Sequence, residues 1–83
     1  MQQNARLVAG MRQVQRMIAA GRASRVLIAR DADERMQKEL RAAAEAAGIP
    51  AEDCESMEQL GRMCRIAVPC AAAAEELSPA VPG

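Results

Sequence analysis

"RVLIA", Arg25 to Ala29, decides the fold of this chain. The run is short, apolar and β-branched, with no polar residue alternating through it. A strand written this way is covered on both faces, because a half-solvated strand alternates apolar and polar positions. It is therefore predicted to be an inner strand, with Val26 and Ile28 fully buried. Covering layers must come from the sequence on either side. Upstream, Gly10 to Ala20 reads as a helix: Val14, Met17 and Ile18 fall on one stripe, with Met11 nearby, and Gly21 is a plausible stop. Downstream, "RDADERMQKELRAAAEAAG", Arg30 to Gly48, is the clearest helix. Asp31 or Asp33 can cap its start, where acids are favoured, and Met36, Leu40, Ala43, Ala44 and Ala47 form its expected buried face.

Further out the signals weaken. "IPAEDC", Ile49 to Cys54, should be a second strand, although its residues are poor strand formers. Ser56 with Gln59 three residues on matches a capping box, so a third helix runs through Leu60 towards Cys64. "IAVPC", Ile66 to Cys70, is a loop or a short extended piece, because Pro69 cannot sit inside a central ladder. "AAAAEEL", Ala71 to Leu77, is ambiguous: local propensity favours helix, the alternation of elements favours a final strand. "MQQNARLVA", Met1 to Ala9, reads as a partly apolar lead-in, and "SPAVPG", residues 78–83, as a flexible tail. Alternating helices and strands imply an α/β fold with helices on both faces of the sheet. Eighty-three residues make one small domain, placed at 1–77.

Composition removes several functions. There is no Phe, Tyr or Trp, hence no aromatic platform for stacking single-stranded bases. There is no His, hence no imidazole acid–base chemistry. Cys54, Cys64 and Cys70 show no C-x-x-C spacing, and an odd count with no secretion signal suggests reduced thiols in the cytoplasm. No apolar run reaches the roughly 20 residues of a membrane span. Asp31 and Asp33 resemble a fragment of a metal site, but no second acidic cluster is spaced to complete it, and capping explains them better. No glycine-rich phosphate loop is present, and no cysteine has a histidine base. The chain is expected to be no enzyme, with no cofactor, metal or small-molecule substrate.

Charge is the informative feature. Formal net charge is zero, yet the first thirty residues hold Arg6, Arg12, Arg16, Arg22, Arg25 and Arg30 with no Asp, Glu or Lys. All eleven acids lie in the remainder. Arg12 and Arg16, four apart, share a helix face. Gly10 begins that helix, where free backbone N–H groups carry partial positive charge. Gln13 adds an amide that can both donate and accept. Such a set suits a nucleic-acid backbone and a purine edge. Solvated helix faces usually mix signs; this one does not, so the arginines of the first thirty residues are expected to be unpaired within the protein, with the acids on the far side.

Taken together, "VAGMRQVQRMIAAGRASRVLIARDAD", "AGIP" and "LGRMCRIAVPCAAAA" resemble the ribosomal protein L-seven-Ae family, in its small bacterial ribosomal-protein-like branch, over about residues 7–77. The resemblance implies a three-layer α/β/α sandwich with a small mixed sheet, and a protein that binds kink-turn RNA, a bent helix–bulge–helix with sheared G·A pairs. It places the RNA-facing helix start on Gly10, Met11, Arg12 and Gln13, with Arg12 and Gln13 at the G·A edges and Arg16 on phosphate. It places a strand-end contact on Arg30 and Asp31, and a second wall for a flipped-out nucleotide on Ile66, Ala67, Val68, Pro69 and Cys70. Arg65 stands where relatives often carry Gly. If the backbone there has positive φ, the side chain costs about 1 kcal/mol, or else Arg65 adds a phosphate contact. Met11 is bulkier than is usual at a close-approach position. The expected partner is structured RNA, ribosomal RNA or a riboswitch, bound by a monomer. The alternative is a protein-interaction module that keeps the fold and has little affinity for RNA.

Overall fold

In the computed structural model, which describes residues 6–77, "RVLIA" lies inside the second of four strands. The elements follow in the order β1 (Arg6–Ala9), α1 (Met11–Ala19), β2 (Ala23–Ala29), α2 (Glu34–Ala46), β3 (Ala51–Cys54), α3 (Met57–Met63) and β4 (Ala72–Glu76). The sheet order is β1-β4-β2-β3. β4 pairs antiparallel with both β1 and β2, and β2 pairs parallel with β3, so the sheet is mixed. β2 is an inner strand, and Val26 and Ile28 are 0 % exposed, as its unbroken apolar run requires.

Two apolar clusters lie on opposite faces of this sheet. One joins Val14, Met17 and Ile18 of α1 to Leu40 and Ala44 of α2, over Val26, Ile28, Ala72 and Ala74. The other joins Leu60 of α3 to Leu27, Ala29, Cys54, Cys70 and Ala73. The fold is thus α/β, with α1 and α2 on one side and α3 on the other. Leu40 and Leu60 are the large anchors of the two layers, both fully buried.

The ambiguous "AAAAEEL" resolves as a strand, and a central one. Ala72, Ala73 and Ala74 are buried from both sides, so small side chains let helices approach both faces. Tertiary burial here overrides the helix preference of alanine. Two expectations need correction. Residues 6–9 are not a lead-in but the edge strand β1, whose register sets Val8 against Ala74. The residues of 78–83, expected to be a tail, lie outside those described. Ala47, assigned above to the buried face of α2, is exposed: the helix ends at Ala46, and Ala47 is its C-terminal flanking residue.

All three helices end alike. The N–H of Gly21 bonds to Ile18 and that of Arg22 to Met17; Gly48 to Glu45 and Ile49 to Ala44; Arg65 to Arg62 and Ile66 to Gly61. Each is a Schellman motif, which needs a left-handed residue just past the helix. Gly21 has φ 69° and Gly48 φ 72°. The third position is Arg65, at φ 61°, where a side chain costs about 1–2 kcal/mol.

The charge division is partly neutralised inside the fold, contrary to the expectation of unpaired arginines. Arg25 on β2 reaches Glu52 on β3 at 3.0 Å and Glu75 on β4 at 3.4 Å, a ladder across three strands. Arg22 pairs with Glu76 at 3.7 Å, and Arg41 with Asp53. These contacts join residues distant in sequence, which no local pattern announces.

Candidate functional site

Four of the six connections between the described elements gather at one end of the sheet. β1 leads into Gly10, β2 into Arg30 and Asp31, β3 into Ser56, and the loop after α3 feeds the start of β4. Backbone bonds tie them: Gly10 N–H to the Ala72 carbonyl at 3.0 Å, Ala29 N–H to Ala71 at 2.9 Å, Arg30 N–H to Cys54 at 2.9 Å, and Cys70 N–H to Met57 at 2.9 Å. Crevices outside the carboxyl ends of strands are where open α/β sheets take ligands. The sequence-predicted residues of the α1 start, the β2 end and the 65–70 loop therefore all belong to one end of the molecule.

Gly10 is the N-terminal flanking residue of α1, at φ 109°, a conformation that favours glycine. No side chain caps this helix and no acid lies in its first turn, so no carboxylate there offsets its positive end. Arg12, Gln13 and Arg16 are exposed on α1. Met11 is half-buried and packs against the core, so its bulk is turned inward. Among the described residues, Arg12, Arg16, Arg30 and Arg65 make no ion pair, whereas Arg22, Arg25, Arg41 and Arg62 do.

The strand-end turn is held rigidly. Asp33, not Asp31, caps α2, accepting from Met36 N–H at 3.1 Å. Asp31 instead accepts from Met57 N–H at 2.8 Å, tying the end of β2 to the first residue of α3. The Gln37 amide donates to the carbonyls of Arg30 at 3.2 Å and Ala32 at 2.7 Å. Sequence reading missed Gln37, because its role depends on the turn it bridges.

Between this turn, α3 and the loop lies a cleft of about 450 Å³, lined by Asp31, Met57, Glu58, Arg62 and Ile66 to Pro69. Its loop wall is apolar and open to solvent: Ile66 is 38 % and Val68 60 % exposed. Acids reach this end too, since Asp31 and Glu58 line the cleft, so they are not confined to the far side. Gly61 sets the wall's position. A Cβ there would run into the Val68 carbonyl oxygen, so only glycine lets the loop lie on α3. Met57, Glu58, Arg62 and Gly61 carried no local signal of this role beyond the "L-G" pair.

Cys70, predicted as part of the wall, is only 5 % exposed; its Sγ donates to the Ala72 carbonyl, so its side chain supports the loop from beneath. All three cysteines are free thiols. Burial, followed by the neighbouring Cys70, pushes the Cys64 thiol up to about 11. Burial, followed by Glu52, raises that of Cys54 as well.

A mixed four-stranded sheet between helix layers, with an uncapped helix start, a pinned turn and an exposed apolar loop at one end, defines a small α/β binding domain. The chain belongs to the Ribosomal protein L7Ae/L30e/S12e/Gadd45 family, which its residues 1–77 match. It is 38 % identical over 72 residues to RNA-binding protein GK0100 of Geobacillus kaustophilus, covering 87 % of this chain and 88 % of that one. The same figures hold for RNA-binding protein YbxF of Geobacillus stearothermophilus. Among solved structures, the Giardia lamblia 15.5kD RNA binding protein superposes with a TM-score of 0.81 at 30 % identity, covering 88 % of this chain and 62 % of that one. A protein of unknown function from Bacillus halodurans C, 21 % identical with a TM-score of 0.79, supports the fold alone. This is a family of ribosomal and RNA-binding proteins, and the chain is accordingly no enzyme. No helix among the described residues is long and apolar enough to cross a membrane.

Proposed function

We propose that this protein binds RNA, and kink-turn RNA in particular, at the end of the sheet where α1 begins. One observation carries the reading: exposed Arg12 and Gln13 stand in the first turn of an uncapped helix, with exposed Arg16 further along in its last turn, and that helix start shares a sheet end with an exposed apolar loop, Ile66 to Pro69. Arg12 and Gln13 address the edges of sheared G·A pairs, Arg16 addresses phosphate, and the loop packs against an unstacked nucleotide. Arg30 and Asp31 follow β2 at the same end of the sheet, and Asp31 lines the cleft together with the loop. This arrangement needs no aromatic residue, in keeping with a chain that has none. The names of its relatives support RNA binding in general, and the resemblance in Gly10 to Gln13 supports the kink-turn. The protein acts as a monomer in the cytoplasm, on ribosomal RNA or a riboswitch.

A gel shift compares a standard kink-turn with the same RNA carrying disrupted G·A pairs. Tight binding of the intact form only is expected, and equal binding of both would remove the kink-turn reading. A second reading, docking of a partner protein, draws on Val68 and Met63, exposed apolar residues near the same loop. Salt separates the two: phosphate contacts weaken steeply as salt rises, whereas apolar docking does not.

A further inference from the structure

Arg65 is the one non-glycine residue with positive φ among those described. The two equivalent helix ends both use glycine, so the fold itself asks for glycine here. A helix C-terminus attracts cations, but α3 already has Arg62 in its last turn. The guanidinium of Arg62 is engaged by Glu58 at 3.5 Å, while Arg65 is exposed and makes no ion pair among the described residues. Strained residues that persist mark places where function holds them.

The cleft whose loop wall begins at the next residue, Ile66, supplies the reason. It is lined by the carboxylates of Asp31 and Glu58 against the single guanidinium of Arg62, which leaves a net charge of −1. A polyanion approaching an acidic lining is repelled unless another cation stands at the rim. Arg65 immediately precedes Ile66, the first residue of the apolar wall, and follows Arg62 by three positions.

We infer that Arg65 is a phosphate-contact residue of the loop wall, kept in a strained conformation because it neutralises this cleft for an RNA strand. The inference rests on the RNA-binding reading above and extends it to a second cationic contact, separate from α1. It sets stability against affinity at a single position.

Arg65→Gly, Arg65→Lys and Arg12→Ala are compared with the unaltered chain by thermal melting and by titration with a kink-turn RNA over a range of KCl. Arg65→Gly is expected to raise the Tm and to weaken binding about tenfold at low salt, as for one charge-assisted hydrogen bond. Its salt slope should be shallower by about one phosphate contact. Because phosphate carries no sequence information, the loss should be equal for kink-turns that differ in sequence outside the G·A pairs. Arg65→Lys keeps both charge and strain and should bind nearly as well as the unaltered chain. If Arg65→Gly raises the Tm with affinity and salt slope unchanged, while Arg12→Ala still weakens binding, Arg65 is a helix end only and the inference falls alone. A lowered Tm for Arg65→Gly would overturn the strain on which the argument stands. If the unaltered chain binds no RNA, the functional reading fails and takes this inference with it.

Discussion

Arg12, Gln13 and Arg16 are exposed, so their removal tests recognition with little effect on folding. Arg12→Ala or Gln13→Ala should each weaken kink-turn binding by about 1–3 kcal/mol, the range for a base-edge contact. Arg16→Ala should lower affinity across RNAs and flatten the salt slope by about one. Lys38, exposed on α2 with no ion pair among the described residues, serves as a near-silent control. Arg41 is a poorer control, because it pairs with Asp53. Kink-turn binding that survives Arg12→Ala and is abolished by Lys38→Ala would move the interface to another face. Gly61→Ala should act differently from all of these. It drives a Cβ into the loop backbone at Val68 and should lower the Tm, because both sides of the contact are main chain or close to it.

At the level of elements, the sequence spoke clearly wherever burial and local pattern agreed. β2 was legible because a β-branched run has one good use, and α2 because Asp33, Leu40 and Gly48 mark its start, its anchor and its end. β4 was not legible, because an alanine run suits either state until both faces are known to be covered. β1 is four residues long with two large apolar ones, too short to carry a period. The candidate site divides the same way. Gly10 to Gln13 and the proline-containing loop could be read from order along the chain. That Asp31 holds α3 while Asp33 caps α2 could not, because it depends on where β2 and β3 end. β4 makes its own prediction. Ala73→Leu adds volume between β4 and the α3 layer, where exposure is already 0 %, and should destabilise by about 1–3 kcal/mol in a denaturant titration. A neutral result would mean the α3 layer yields easily.

Over the whole molecule, the opposed charges of the two chain segments become local pairs at the sheet and free cations near its upper end. Stability should respond to alkaline pH through the thiols. Cys64 titrates at about 11 in the fold, against 9.0 for an unperturbed thiol. The unfolded chain therefore loses its proton first, so stability is full below about pH 9 and declines as pH rises towards 11. Unfolding midpoints measured from pH 8 to 11 should fall, and Cys64→Ser should reduce the fall; an unchanged slope in that variant would assign it to other groups. The sheet order has a consequence for how the molecule comes into being. β4 is the last made of the described strands, yet it lies between β1 and β2 and has no substitute among the earlier elements. A nascent chain halted before Ala72 has its first and second strands with nothing to join them, and Gly10 lacks the carbonyl that holds it. Vectorial synthesis thus cannot complete this domain piece by piece. Chains stalled before residue 72 should be cleaved readily by protease and those extended past residue 76 should resist it, so the surface at the α1 start comes into existence in a single late event.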